Sequence, residues 1–313
     1  MTRKPIPVLW VSAGLMLWAV LPPLLSYALT DLLVFTSLYY IAGLGVGLAL
    51  GQCGIVNLGQ AVFFGIGAYA SAALSTRGVP MIGGVLAGAS LAVMIAGTLG
   101  WTILRLHGYF LGLATLALGI IGHALFFEWD WLTGGSLGLG GIPKPAPFGL
   151  LIDSALKYYY LVGVVALFAT WATRNLIHGH TGLLLRAGRD SGEASTSIGI
   201  RLRAMRTAVF ALSALLGSVS GSLFAHYASF VSVDSFGLMK SLTFLLVPVL
   251  GGMRSPAGML IGALFVTFVP FFLSRLGDVH QILFGLAMIG VVVLLPNGLV
   301  GLLGAALKRR LRG

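Results

Sequence analysis

Charge is what this 313-residue chain has least of: 9% of its residues are Asp, Glu, Lys or Arg, against roughly 25% in an average soluble domain. With 58% hydrophobic residues, such a chain needs lipid as its solvent. Its length allows about ten helical spans of roughly 20 residues each, with little left for a soluble domain. The apolar runs are long and unbroken rather than alternating, which argues against a β-barrel. Cysteine is nearly absent too. The single Cys53 excludes an intramolecular disulfide and a cysteine-built metal site. There is no Gly-Lys-Ser/Thr phosphate loop, so the chain carries no P-loop ATPase of its own. No HExxH-like spacing occurs, and His178 and His180 stand together without a third ligand. No nucleophile with a base on a facing span suggests hydrolysis. We therefore expect no catalytic residue and no metal site.

Charge inside the spans is also scarce. Proton- and sodium-coupled carriers keep a carboxylate or histidine in the pathway. Here every acid falls at a loop or membrane edge, and only His123 and His226 approach mid-span, where pairing between helices explains them. An ion-coupled secondary carrier acting alone is disfavoured but stays open as a reading from another class.

What is present is a strong topological signal. The apolar runs place spans at 8–29, 32–50, 55–75, 80–104, 107–127, 157–173, 207–227, 239–253, 256–273 and 281–297. The run after Arg3 and Lys4 is too long for a cleaved signal and reads as a first span. With the N-terminus in the cytoplasm, fourteen of the 19 basic residues face that side, leaving Arg77, Lys144, Lys157, Lys240 and Arg275 outside. Lys and Arg resist translocation, so both termini are expected to be cytoplasmic. The net charge of +11 follows from this clustering at loop ends and calls for no nucleic acid. The fold class is all-α, a polytopic membrane protein of about ten helices, with broken or re-entrant segments expected at 55–75 and 239–253. There glycine, Asn57, Gln60 and Pro248 interrupt the pattern, and broken helices are tolerated at membrane depth only inside protein or along a cavity.

Of the 45 glycines, many repeat at four-residue spacing: Gly43, Gly47 and Gly51, Gly84 and Gly88, Gly217 and Gly221, Gly258 and Gly262. Helices in lipid lack a hydrophobic drive between them, so such pairs predict close backbone packing. Six of the 19 basic residues lie in one hydrophilic stretch, 174–206. Asp190 and Glu193 read as a capping box and Gly199 as a stop, which marks a short helix. These residues suit either an ordinary positive-inside loop or a docking element.

Four segments, in order along the chain, resemble the permeases of branched-chain amino acid ABC importers, LivM type. They are GQCGIVNLGQAVFFGIGAYASAAL at 51–74, RLHGYFLGLATLALG at 105–119 with LTGGSLGLGGIP at 132–143, GLLLRAGRDSGEASTSIGI at 182–200, and VPVLGGMRSPAGMLIGA at 247–263. Asn57 stands where the family usually has Ser, and Ser195 replaces the second Ala of the Glu-Ala-Ala-x-x-x-Gly pattern of ABC importers.

The resemblance implies one permease domain over 1–313 with a cytoplasmic coupling loop at 174–206, in the bacterial inner membrane. The implied partners are a second homologous permease, two ATPase subunits that hold ATP and Mg²⁺, and an extracytoplasmic solute-binding protein; no cofactor is expected in this chain. Arg186, Arg189, Asp190, Glu193, Ala194, Ser195 and Gly199 would meet the ATPase, with the two arginines pairing with its acids and Ala194 and Ser195 exposed for close docking. The segment 128–156 would contribute to the binding protein's dock. Asn57, Gln60 and Thr115 are candidates for the solute path, although helix-to-helix ties explain them equally well. Relatives assigned to urea, short amides or aromatic acids leave those solutes open beside branched-chain amino acids.

Overall fold

The computed structural model describes residues 22–106, 108–145, 152–197, 199–274, 280–294 and 298–299. Most of the expected first span and both termini lie outside them. Among the described residues, seven helical stretches are long and apolar enough to cross a membrane, which makes this a multi-pass membrane protein. The count of ten extends beyond the described residues. The last residues assigned to the first span, from Tyr27, belong to the next helix.

That helix, α1 (Tyr27–Cys53), is apolar on all sides and most of its residues are buried, so it is the axis of the bundle. It is followed by α2 (Gln60–Ser75), α3 (Met81–Ile103), α4 (Tyr109–Glu128) and the single turn α5 (Asp130–Thr133). After α6 (Ala155–His178) come two short helices, α7 (His180–Asp190) and α8 (Gly192–Ser197), then the long α9 (Leu202–Ala228). The chain closes with α10 (Leu238–Gly251), α11 (Pro256–Leu273) and α12 (His280–Leu294). Helix α9 packs on α1, α2 and α3, while α6, α10 and α11 cover the rest of α1.

Close approach holds the centre together, as the glycine spacing predicts. A methyl group at Gly221 would strike the carbonyl oxygen of Phe64, one at Gly67 that of Ser218, and one at Gly262 that of Val247. Substituting these positions would push backbone away from backbone. Toward the end of the bundle away from Cys53, Phe64, Tyr69, Phe126 and Phe236 form a ring cluster whose neighbouring centroids lie 5.1 to 6.0 Å apart.

Two expectations need correction. The fold is not purely α-helical: Leu139–Gly140 (β1) pairs antiparallel with Phe230–Val231 (β2). This short ladder ties the 135–145 loop to the C-terminal end of α9, helped by the 3.0 Å contact between His226 Nδ1 and the Pro143 carbonyl. The second concerns Pro248, which does not break its helix. Proline removes only its own bond to the fourth preceding carbonyl, and near the helix end that loss is small; α10 stops at Gly252, whose φ of 125° ends the helix.

The break expected in the third span is present. From Cys53 the chain turns at Gly54 (φ 68°) and runs without helix to Gly59. Gly54 lies beside Arg189 at the basic end, whereas Gln60 Nε2 reaches the carbonyl of Ala42. Ala42 is about 16 Å up α1 from Cys53 at ~1.5 Å per residue. The 54–59 segment therefore climbs to the level of the middle of α1 before α2 begins, and α2 needs to run along only the half of α1 toward Tyr27.

Candidate functional site

At mid-depth, the three residues expected along a solute path come together. Asn57 Nδ2 donates to Gln60 Oε1 at 2.8 Å, and Gln60 Nε2 donates to Ala42 O at 3.3 Å and Ser213 O at 3.0 Å. Ser213 Oγ donates back to Gln60 Oε1 at 3.1 Å. Thr115 Oγ1 sits 3.0 Å from the Val56 carbonyl and accepts from the Leu58 amide at 3.2 Å. Asn57 Oδ1 accepts from the Gly59 amide, and Ser241 Oγ from the Ala61 amide, both at 3.0 Å. Asn57, Gln60 and Thr115 are fully buried. A helix broken in lipid must satisfy its freed backbone groups internally, and these side chains do that. The geometry favours the tie between helices for all three.

The basic end is built around the C-terminus of α1, where the last carbonyls carry partial negative charge. Arg189 Nη1 donates to Gly51 O at 2.6 Å, and Arg186 Nη1 to Gln52 Oε1 at 3.0 Å and Ile177 O at 2.9 Å. Each arginine expected to reach acids on a partner thus gives one donor to the end of α1, fastening α7 beneath it, and Arg189 stays exposed. Gly188 has a packing reason: a methyl there would run into Leu202, and its carbonyl accepts from Arg206 at 3.3 Å.

The short helix is in place, with a different start and a different exposed face. Asp190 is the last residue of α7 and so not a cap; the chain turns at Ser191, whose carbonyl accepts from the Ser195 amide at 3.1 Å. Gly199, at φ 84°, ends the turn as expected, and Ile198 lies outside the described residues. Glu193 and Ala194 are exposed, whereas Ser195 is buried with its hydroxyl on Ser191 O at 2.8 Å. Ser195 is therefore a packing residue. Beside α8 lies a cleft of about 810 Å³, lined by Arg105, Arg189, Arg201, Arg203 and Arg206 against one acid, Glu193. Arg203 stacks 4.0 Å from the Trp101 ring, and its Nε donates to the Trp101 carbonyl at 2.9 Å.

At the opposite end, Glu128, Asp130 and Asp153 are exposed, and residues 146–151 of that segment lie outside the described residues. The Asp153 carboxyl is held below its ordinary range, chiefly by the hydrogen bond from the Lys157 ammonium at 2.7 Å. His226 ties α9 to α2 through Ser71 Oγ at 2.9 Å, the interhelical role expected of it.

One charged residue escaped the sequence reading. Lys240 is assigned by hydropathy to the outer edge, yet its Nζ donates to Tyr39 OH at 2.7 Å, and Tyr39 lies near the middle of α1. The signal that could have found it is the apolar, glycine-led stretch after Asp234, which places a lysine inside a run long enough to enter the membrane.

A multi-pass helical bundle with a satisfied polar break at mid-depth and a short helix at its basic end has the build of a transport subunit. The chain belongs to the family described as the permease component of branched-chain amino acid transport systems, whose profile matches residues 28–292. It is 29% identical to the high-affinity branched-chain amino acid transport system permease protein LivM of Escherichia coli (strain K12), over 96% of this chain and 76% of that one. The protein of the same name from Salmonella typhimurium (strain LT2) is 27% identical over the same shares. A probable branched-chain amino acid transport permease protein LivM of Methanocaldococcus jannaschii is 23% identical over 86% of this chain and 92% of its own. No solved structure matches the chain to significance.

Proposed function

We propose that this chain is the permease subunit of an ABC importer for branched-chain amino acids, in the inner membrane of a bacterium with both termini cytoplasmic. The family match over residues 28–292 carries this reading. It pairs with a second homologous permease, and a separate extracytoplasmic protein delivers the solute. Two partner ATPases bind ATP and Mg²⁺ and dock on the segment 191–199. With Arg186 and Arg189 tied to the end of α1, the exposed Glu193 and Ala194 form the outward contact. A six-residue helix is too short to be stable alone and gains order against a partner; here α7 and the arginine ties hold it in position beforehand. In this role the chain moves solute and hydrolyses nothing.

The test is uptake of labelled leucine by the reconstituted assembly. Uptake is expected to require ATP and the ATPase subunits and to survive collapse of proton and sodium gradients. Uptake by the purified chain alone, driven by an ion gradient, would refute the reading.

A further inference from the structure

We propose that Lys240, with Tyr39 beside it, forms a binding site at mid-membrane for the carboxylate of the transported solute. This rests on the amino-acid reading above and narrows it to one chemical group. Depth comes first. Tyr39 lies about 18 Å along α1 from Tyr27 and about 21 Å from Cys53 at ~1.5 Å per residue, so it stands near the centre of a hydrocarbon layer about 30 Å thick. Lys240 Nζ is 2.7 Å from the Tyr39 hydroxyl and 4.7 Å from the centre of its ring. The next residue, Ser241, receives the amide of Ala61 at the start of the mid-depth helix α2. Helix α10 therefore begins well below the outer surface, and its third residue is a lysine.

The ammonium is under-partnered. It has three protons and gives one to the Tyr39 oxygen. Among the described residues the only ion pair is Lys157 with Asp153, so no described carboxylate pairs with Lys240. Asp234, six residues earlier, is exposed and forms no ion pair with it. Tyr39 oxygen accepts from the lysine, which leaves the hydroxyl's own proton to donate. A planar carboxylate can take the ammonium on one oxygen and the phenol on the other.

The open side decides what supplies that carboxylate. Lys240 and Tyr39 are both partly exposed, and Met239 beside them is 75% exposed. Lipid does not solvate an ammonium at this depth, and intramembrane charges face protein or a watered cavity. The face that carries Lys240 is thus turned to a water-filled route, or to the second permease across it. Leu238 and Met239 flank the lysine as exposed apolar surface, fitting the side chain of an apolar amino acid. Urea and short amides offer no negative charge to such a site.

The experiment uses the full chain with its transport partners. A lone charge at membrane depth is costly to hold and no ion pair is broken by removing this one, so Lys240→Met should melt at or above the parent's temperature. Its leucine uptake should nevertheless fall roughly ten- to hundredfold, the weight of one charge-assisted hydrogen bond, with Lys240→Arg recovering much of it. In a Cys53→Ser background that keeps Lys240, Met239→Cys, at the exposed neighbour of the lysine, should react with a small cationic thiol reagent from the aqueous phase, and saturating leucine should slow that reaction. Parent-level uptake by Lys240→Met would overturn the proposal. So would uptake and stability falling together, or a Met239→Cys thiol that never reacts. A parent assembly that carries no branched-chain amino acid would refute the amino-acid reading itself; leucine uptake by the parent beside an unchanged Lys240→Met would refute only the lysine site.

Discussion

Gln60→Leu tests whether the mid-depth network is a structural tie or a solute contact. The substitution keeps the approximate volume and removes every polar contact of the amide. Gln60 takes part in four hydrogen bonds, to Asn57, Ala42 O, Ser213 O and Ser213 Oγ, at 2.8 to 3.3 Å. Hydrogen bonds between helices in a membrane average about 0.6 kcal/mol each, so four contribute about 2.4 kcal/mol. The change also strands the Asn57 amide and the Ser213 hydroxyl, at about 1 kcal/mol each from the lower end of the usual penalty. The total is roughly 4 kcal/mol, of which better apolar packing returns a part. We expect a loss of about 3 kcal/mol in the unfolding free energy of the purified chain, measured by dodecyl sulfate titration in mixed micelles with tryptophan fluorescence. Thr115→Val, which removes the contacts with Val56 O and the Leu58 amide, should lose less, and Thr115→Ser should restore it. A Gln60→Leu chain with parent stability and no leucine uptake would refute the structural assignment and return Gln60 to the solute path.

Gly221→Ala places a methyl group against the Phe64 carbonyl, and overpacking of this kind costs about 1–3 kcal/mol. The same titration should detect it, whereas Gly112→Ala, which meets open space, should match the parent. Glu193→Arg changes an exposed side chain on α8, so expression and thermal stability should hold while leucine uptake and co-purification of the ATPase both drop. Normal uptake with the ATPase still bound would remove α8 from the coupling site. For Asp153, the sign follows from its lowered carboxyl: the Lys157 pair stabilises above the ordinary carboxylate range, and that contribution is lost as pH falls through the lowered value. Both side chains are exposed, so Asp153→Asn should melt within error of the parent at neutral pH. Any difference that exists should disappear in acid.

The bundle was legible because its signals are local. An uninterrupted apolar run, a glycine every fourth residue and a cluster of arginines at a span end each act through neighbours a few residues away. The break after Cys53 was legible for the same reason, since Gly54, Asn57 and Gly59 interrupt the helix wherever the segment lies. The ties of Arg186 and Arg189 to the end of α1 were not legible, because sequence shows charge and not direction. Gln52 and Gly51, which accept from them, lie about 135 residues earlier. Ser195 was read as exposed because its α8 neighbours are; it is buried where α8 packs against α7 and α9.

By itself the sequence determined the solvent, the helical class, the basic face and the family, since scarce charge in long apolar runs leaves a chain few other choices. Only the tertiary structure decided depth. Hydropathy averages over a window and puts Lys240 at the edge of a span. The packing of α10 against α1 and α2, through Tyr39 and Ala61, carries it to the level of the middle of α1. Contacts between segments far apart in sequence decide how deep a residue sits, and a single-sequence pattern does not contain them.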